Sequence, residues 1–135
     1  MAEGWLDYQT FLKRVQENAG LDTLADAAQV TQAVLETLGE RLPRTEREQL
    51  AAQLPSELKV LVLRRHPDYP FPLEEFYTRV GGRARTTRVH AVEWSQAVMR
   101  ALNEAVSQGE MEDVKALLPK EYVALMEGKE EAPQG

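Results

Sequence analysis

The sequence predicts an all-α fold: an internally duplicated helical bundle of two units, about four helices each, related by approximate twofold symmetry. Three observations point to it. First, residues 27–61 recur without a gap at residues 91–125, with Ala27 falling on Ala91, Val34 on Val98 and Leu61 on Leu125. Of 35 aligned positions 13 are identical, where average residue usage gives roughly two or three by chance. A fixed internal period means one supersecondary unit used twice, each copy burying its apolar face against the other. Second, apolar residues return at helical spacing along the whole chain, and no alternating strand pattern competes. Third, prolines, glycines and capping residues fall between those stripes rather than inside them.

Taken in order, Trp5, Tyr8, Leu12 and Val15 predict a first helix from about Glu3 to Asn18, with Gly20 just past its end. Asp22 or Thr23 is placed to cap a second helix that runs to Leu42 and stops at Pro43. Small and medium residues (Ala27, Val30, Ala33, Val34) line its stripe and allow close helix packing. Thr45 and Glu48 have capping-box spacing for a short third helix. Pro55 suits the first turn of a fourth, over Leu58, Leu61 and Val62.

Pro67, Pro70 and Pro72 predict a stiff extended connector, which Tyr69 and Phe71 plug onto the core. The second unit repeats the plan. A helix over Leu73, Phe76, Tyr77 and Val80 ends at Gly81-Gly82, and Phe76-x-x-Arg79-Val80 echoes Phe11-x-x-Arg14-Val15. Thr86 or Thr87 caps a long helix through Trp94, Val98 and Leu102; Ser107 with Glu110 opens a short one. Pro119 starts the last helix, over Tyr122 and Leu125. The expected organisation is one domain over residues 1–126, with unit one at 5–65, the connector at 66–72 and unit two at 73–126. Residues 127–135 read as a flexible tail.

A chain of 135 residues with 43% hydrophobic and 28% charged residues has ordinary globular composition. No stretch approaches the roughly 20 apolar residues of a membrane span. Glu3 and Asp7 stand where a signal peptide carries its basic start, so a cytoplasmic location is expected. There is no cysteine, which removes disulfides, thiolate nucleophiles and cysteine metal sites. The net charge of −6 is uneven: residues 64–90 hold six basic and three acidic groups, and both flanks are acidic. Any anion site belongs in that middle.

The sharpest candidate is the segment Arg79, Arg83, Arg85, Arg88 and His90. Four guanidinium groups and a glycine pair suit a phosphate or an acidic peptide. The blander alternative weighs more: arginines that are solvated or paired with the carboxylates of the acidic halves. Nucleic acid is disfavoured, because only this patch attracts it and no recognition motif accompanies it. For metal there is a single His90-x-x-Glu93, whose repeat counterpart is Asp26-x-x-Gln29, so no metal or other cofactor is expected. Ser56, Ser95 and Ser107 lie in no nucleophile context, and no catalytic residue is assigned. The aromatic residues read as core, with a groove for a partner helix between the copies as the minority reading.

With the helices placed, Tyr8-x-x-Phe11-Leu12-x-x-Val15, Ala33-Val34-Leu35-x-x-Leu38-x-x-x-Leu42 and Leu54-Pro55-x-Glu57-Leu58 resemble a bacterial family, domain of unknown function 2267. Leu118-Pro119-Lys120-Glu121-Tyr122 is similar to its closing segment. The resemblance spans about Tyr8 to Met126. It implies a small, soluble, helical bacterial protein and brings no activity, substrate or catalytic residue. The expectation is a non-enzymatic protein-interaction or regulatory module whose partner is another protein or a second copy. A small-anion or nucleic-acid binder acting through residues 79–90 is the alternative.

Overall fold

A computed structural model describes residues 6–68 and 70–129. The described residues are all-helical: α1 (Tyr8–Ala19), α2 (Leu24–Arg41), α3 (Arg44–Ala52), α4 (Ser56–Leu63), α5 (Leu73–Ala84), α6 (Arg88–Ala105), α7 (Gln108–Ala116), then a 3-10 turn (Lys120–Tyr122) leading into α8 (Val123–Met126). Helix lengths follow the sequence repeat. α1 and α5 have 12 residues, α2 and α6 have 18, and α3 and α7 have 9. Only the closing segments differ, since α4 is a continuous helix of eight residues and its counterpart is split.

The two long helices cross at the centre, and the 12-residue helices pack crosswise. α1 lies on α6 as well as on α2, and α5 lies on α2 as well as on α6. Phe11, Val15, Val34, Leu38, Phe76, Val80, Val98 and Leu102 are fully buried in one continuous core. Each such side chain contributes roughly 1.5–3 kcal/mol through loss of water contact. No helix is long and apolar enough to cross a membrane among the described residues.

The caps explain most boundaries. Asp7 Oδ1 accepts from the Thr10 N–H at 2.8 Å and starts α1 later than the apolar stripe suggested; this bond holds the Asp7 carboxyl below its usual range. Trp5 and Tyr69 lie outside the described residues, as does the expected tail beyond Lys129. Gly20 closes α1 at φ 66°, and Thr23 and Thr87 cap α2 and α6. Thr45 does not cap α3, which begins at Arg44 behind Pro43. The Gly81-Gly82 pair does not end α5, which runs on to Ala84. Arg85 takes the left-handed cap instead, and Thr86 N–H returns to the Gly81 carbonyl at 2.9 Å.

Gly39 shows what the close packing of α2 requires. A Cβ there would stand 2.0 Å from the Val62 carbonyl oxygen, so the α4 backbone rests directly on the glycine. Phe71 is buried, and its carbonyl accepts from Arg41 Nε at 2.8 Å and from the Tyr122 hydroxyl at 2.7 Å. One buried arginine therefore ties the connector to both halves. Gly128, expected in the tail, is buried, and its carbonyl accepts from Arg100 Nη1 at 2.8 Å.

Candidate functional site

The C-terminal end of α5 lies over the middle of α2 and delivers the predicted arginines to one face of the molecule. Arg79 donates to Glu75, Glu40 and Asp68 at 2.9–3.2 Å, with its guanidinium 3.9 Å from the centre of the Phe71 ring. Burial works against its charge, but the bonds to Glu75, Asp68 and Glu40 outweigh that and raise its pKa further. Arg83 donates to both Glu40 carboxylate oxygens, at 2.8 and 2.9 Å, and to Thr37 Oγ1 at 2.8 Å. Burial alone would push the Glu40 carboxyl up, but Arg83 and Arg79 prevail and hold it below the usual range. Arg88 pairs with Glu74 and lies 5.6 Å from the Tyr77 ring centre. His90 meets Thr86 Oγ1 at 3.2 Å and stacks on Trp94 at 5.1 Å with the rings 4° from parallel.

The five residues therefore do not converge on one point. Arg79 and Arg83 cross-tie α5 to α2, Arg88 at the start of α6 pairs with Glu74 at the start of α5, and His90 covers a tryptophan. Arg85 differs from all of them. It is exposed, makes no ion pair among the described residues, and holds φ 57°, a left-handed conformation uncommon for any residue but glycine.

Arg85 stands on the rim of a polar cleft of about 420 Å³, lined by Gln29, Gln32, Ala33, Glu36, Arg65, Gly82 and Arg83. The Glu36 side chain is only 3% exposed and accepts from Arg64 Nη1 at 2.9 Å and Arg65 Nε at 3.0 Å. Those two arginines are about half exposed, so each keeps N–H groups for solvent or a ligand. The cleft wall thus carries three arginines against one carboxylate. At Gln29 it adjoins a less polar notch of about 240 Å³, formed by Leu21, Asp26, Val30, Ala84 and Trp94. At Arg65 it adjoins a shallow depression along Glu40, His66, Pro67 and Asp68.

Arg64, Arg65 and Trp94 were not among the residues the sequence singled out. Arg64-Arg65 counted only towards the basic middle segment, and Trp94 read as core. The available signal was that the excess positive charge starts at residue 64 rather than 79. Away from this face, Glu46, Glu110 and Asp113 form the acidic group whose oxygens could share an ion among the described residues. Glu110 read as half of a capping box with Ser107. Ser107 Oγ does accept from the Glu110 N–H at 3.2 Å, but the Ser107 N–H is taken by Gln53 Oε1 at 2.8 Å.

A family described as an uncharacterized conserved protein, DUF2267, matches residues 8–125. No curated protein matches the chain.

Proposed function

The chain belongs to the DUF2267 family, and we propose that it is a non-enzymatic binding module that takes a short acidic segment of a partner protein. The segment lies along the α2/α5 face, an apolar side chain in the Trp94 notch and its carboxylates against Arg85, Arg65 and Arg64. We further read the fold as a duplicated unit of four helices with approximate twofold symmetry. The paired helix lengths and the crosswise packing of α1 and α5 support that reading.

One observation carries the functional reading. Arg85 and Gly20 occupy the same position after equal-length helices, and both backbones are left-handed. At Gly20 the conformation costs little. At Arg85 the same conformation costs about 1 kcal/mol. Placing an exposed arginine without an ion pair among the described residues there, at the rim of a cleft that already holds the half-exposed Arg65, is a local cost that a binding role explains. The adjoining apolar notch supports a peptide over a bare anion, since inorganic phosphate has no group to place in it.

The test is calorimetric titration of the full chain with an acidic peptide carrying one aromatic residue, its basic analogue and inorganic phosphate. The reading expects the acidic peptide alone to bind, more weakly as salt rises, and Arg85→Glu to abolish binding. Equal binding of the basic analogue, or binding untouched by Arg85→Glu, would retire it. Phosphate binding as tight as the peptide would move the function to a small anion. Light scattering on the same samples detects self-association at this face.

A further inference from the structure

The contact between α3 and α7 brings carboxyl groups together with no cation paired to them among the described residues. Glu46 on α3 and Glu110 on α7 are repeat counterparts, and their carboxyl groups approach each other across this contact. Asp113 stands one turn along α7 on the same face, and one carboxylate oxygen from each residue lies within 4.8 Å of the other two. Glu110 is 7% exposed. Oε2 of Glu110 and Oε2 of Glu46 are both inaccessible to water and have no hydrogen-bond partner.

An ionised carboxylate accepts hydrogen bonds and donates none, so two facing carboxylates cannot satisfy each other. Buried charge of one sign needs a compensating positive charge. The groups acting on Glu110 are Glu46 and Asp113, both acidic.

We infer that Glu46, Glu110 and Asp113 bind a hard divalent cation that clamps α3 to α7. The donor set is entirely carboxylate oxygen, which selects magnesium, manganese or calcium over thiolate- and imidazole-preferring metals. Ligand oxygens on opposite sides of such an ion stand about 4–5 Å apart, so the observed spread fits one coordination sphere. The exposed Asp113 gives the ion an entry from solvent and leaves room for water to complete the shell. The site lies apart from the arginine cleft, so this inference and the peptide reading stand or fall separately.

The experiment is thermal unfolding of the chelator-dialysed full chain with manganese, calcium or magnesium added at millimolar concentration, together with nuclear magnetic resonance of the manganese-loaded protein. The expected result is a cation-dependent rise in Tm and manganese broadening confined to amides of α3 and α7. Glu110→Gln removes the response, and this variant folds because the amide donates to Glu46. The exposed Asp113→Asn, which loses one ligand charge, weakens binding about tenfold. No response to any of the three ions, or a response that survives Glu110→Gln, overturns the site. A Tm that rises only on acidification would also overturn it, assigning the missing positive charge to a proton shared by the two glutamates.

Discussion

The junction of α2 with α5 and the junction of α6 with α1 are built from sequence counterparts, yet they carry different polar groups, and the first holds a cleft. At the second junction Arg100, the counterpart of Glu36, donates to the Gly128 carbonyl at 2.8 Å and to the Asn18 carbonyl at 3.1 Å. Asn18 in turn donates to the Ala97 carbonyl at 3.2 Å, and Gly20 completes the cap with no side chain. The Gly128, Asn18 and Ala97 carbonyls each gain a side-chain donor there. At the first junction Glu36 turns to Arg64 and Arg65, Arg83 takes the place of Asn18, and Arg85 takes the place of Gly20. Three exchanges, Glu36 for Arg100, Arg83 for Asn18 and Arg85 for Gly20, rim the first junction with arginine, while the fully buried residues Phe11, Val15, Phe76 and Val80 beneath the two junctions stay the same type. The difference teaches that packing and recognition are written in different positions of one repeat.

The cross-ties show the same divergence. Arg14–Glu104 joins α1 to α6 at 2.9 Å with both partners more than 40% exposed. Its counterpart, Arg79–Glu40, is far less exposed and recruits Arg83, Glu75 and Asp68. The closing segments diverge too. Gly39 lets α4 touch α2 backbone to side, whereas its counterpart Asn103 bridges to the Met126 carbonyl at 2.9 Å and the Met99 carbonyl at 2.8 Å.

The last contrast predicts the largest effect. Gly39→Ala drives a methyl group into the Val62 carbonyl and should cost about 3 kcal/mol or more in denaturant unfolding. Asn103→Ala, which loses two hydrogen bonds without a clash, should cost about 1–2 kcal/mol. Equal costs would mean that the two closing segments are packed alike. Arg100→Ala should cost about 2 kcal/mol, because it leaves the Gly128 and Asn18 carbonyls without their donor. Hydrogen exchange should then rise at Gly128 and Lys129 first.

The pH dependence separates the two cross-ties next. Glu40 is held below its usual range in the folded state, so its contribution is fully present above the unfolded value near 4.5 and is lost as pH falls through the lowered one. Glu40→Gln should therefore remove about 1 kcal/mol at neutral pH and flatten the acid limb of a stability profile. Glu104→Gln should cost less than about 0.5 kcal/mol at neutral pH, since it and its partner Arg14 are both more than 40% exposed.

The helices and their order were legible because apolar spacing and capping residues state them directly: Gly20, Thr23, Thr87 and Ser107 all cap as their types suggest. Where reading failed, tertiary contact decided. Gly81-Gly82 looked like a helix end, but the returning Thr86 backbone stabilises the extra turn. The arginine run was visible as charge, but sequence could not say that Glu40, 39 residues before Arg79, would engage two of the four arginines. Arg85 was grouped with its neighbours because the feature that separates it, a left-handed backbone, is conformational. Glu46 and Glu110 were visible as an identical pair in the repeat. Their approach depends on how α3 meets α7, which no local pattern encodes.

Replacing Arg85 with glycine tests the central contrast most directly, with unfolding and titration by the acidic peptide performed on the same preparation. The account predicts a protein about 0.5–1 kcal/mol more stable that binds the peptide at least tenfold more weakly, making the first junction resemble the second. A variant that loses stability, or that binds as the parent does, would contradict it.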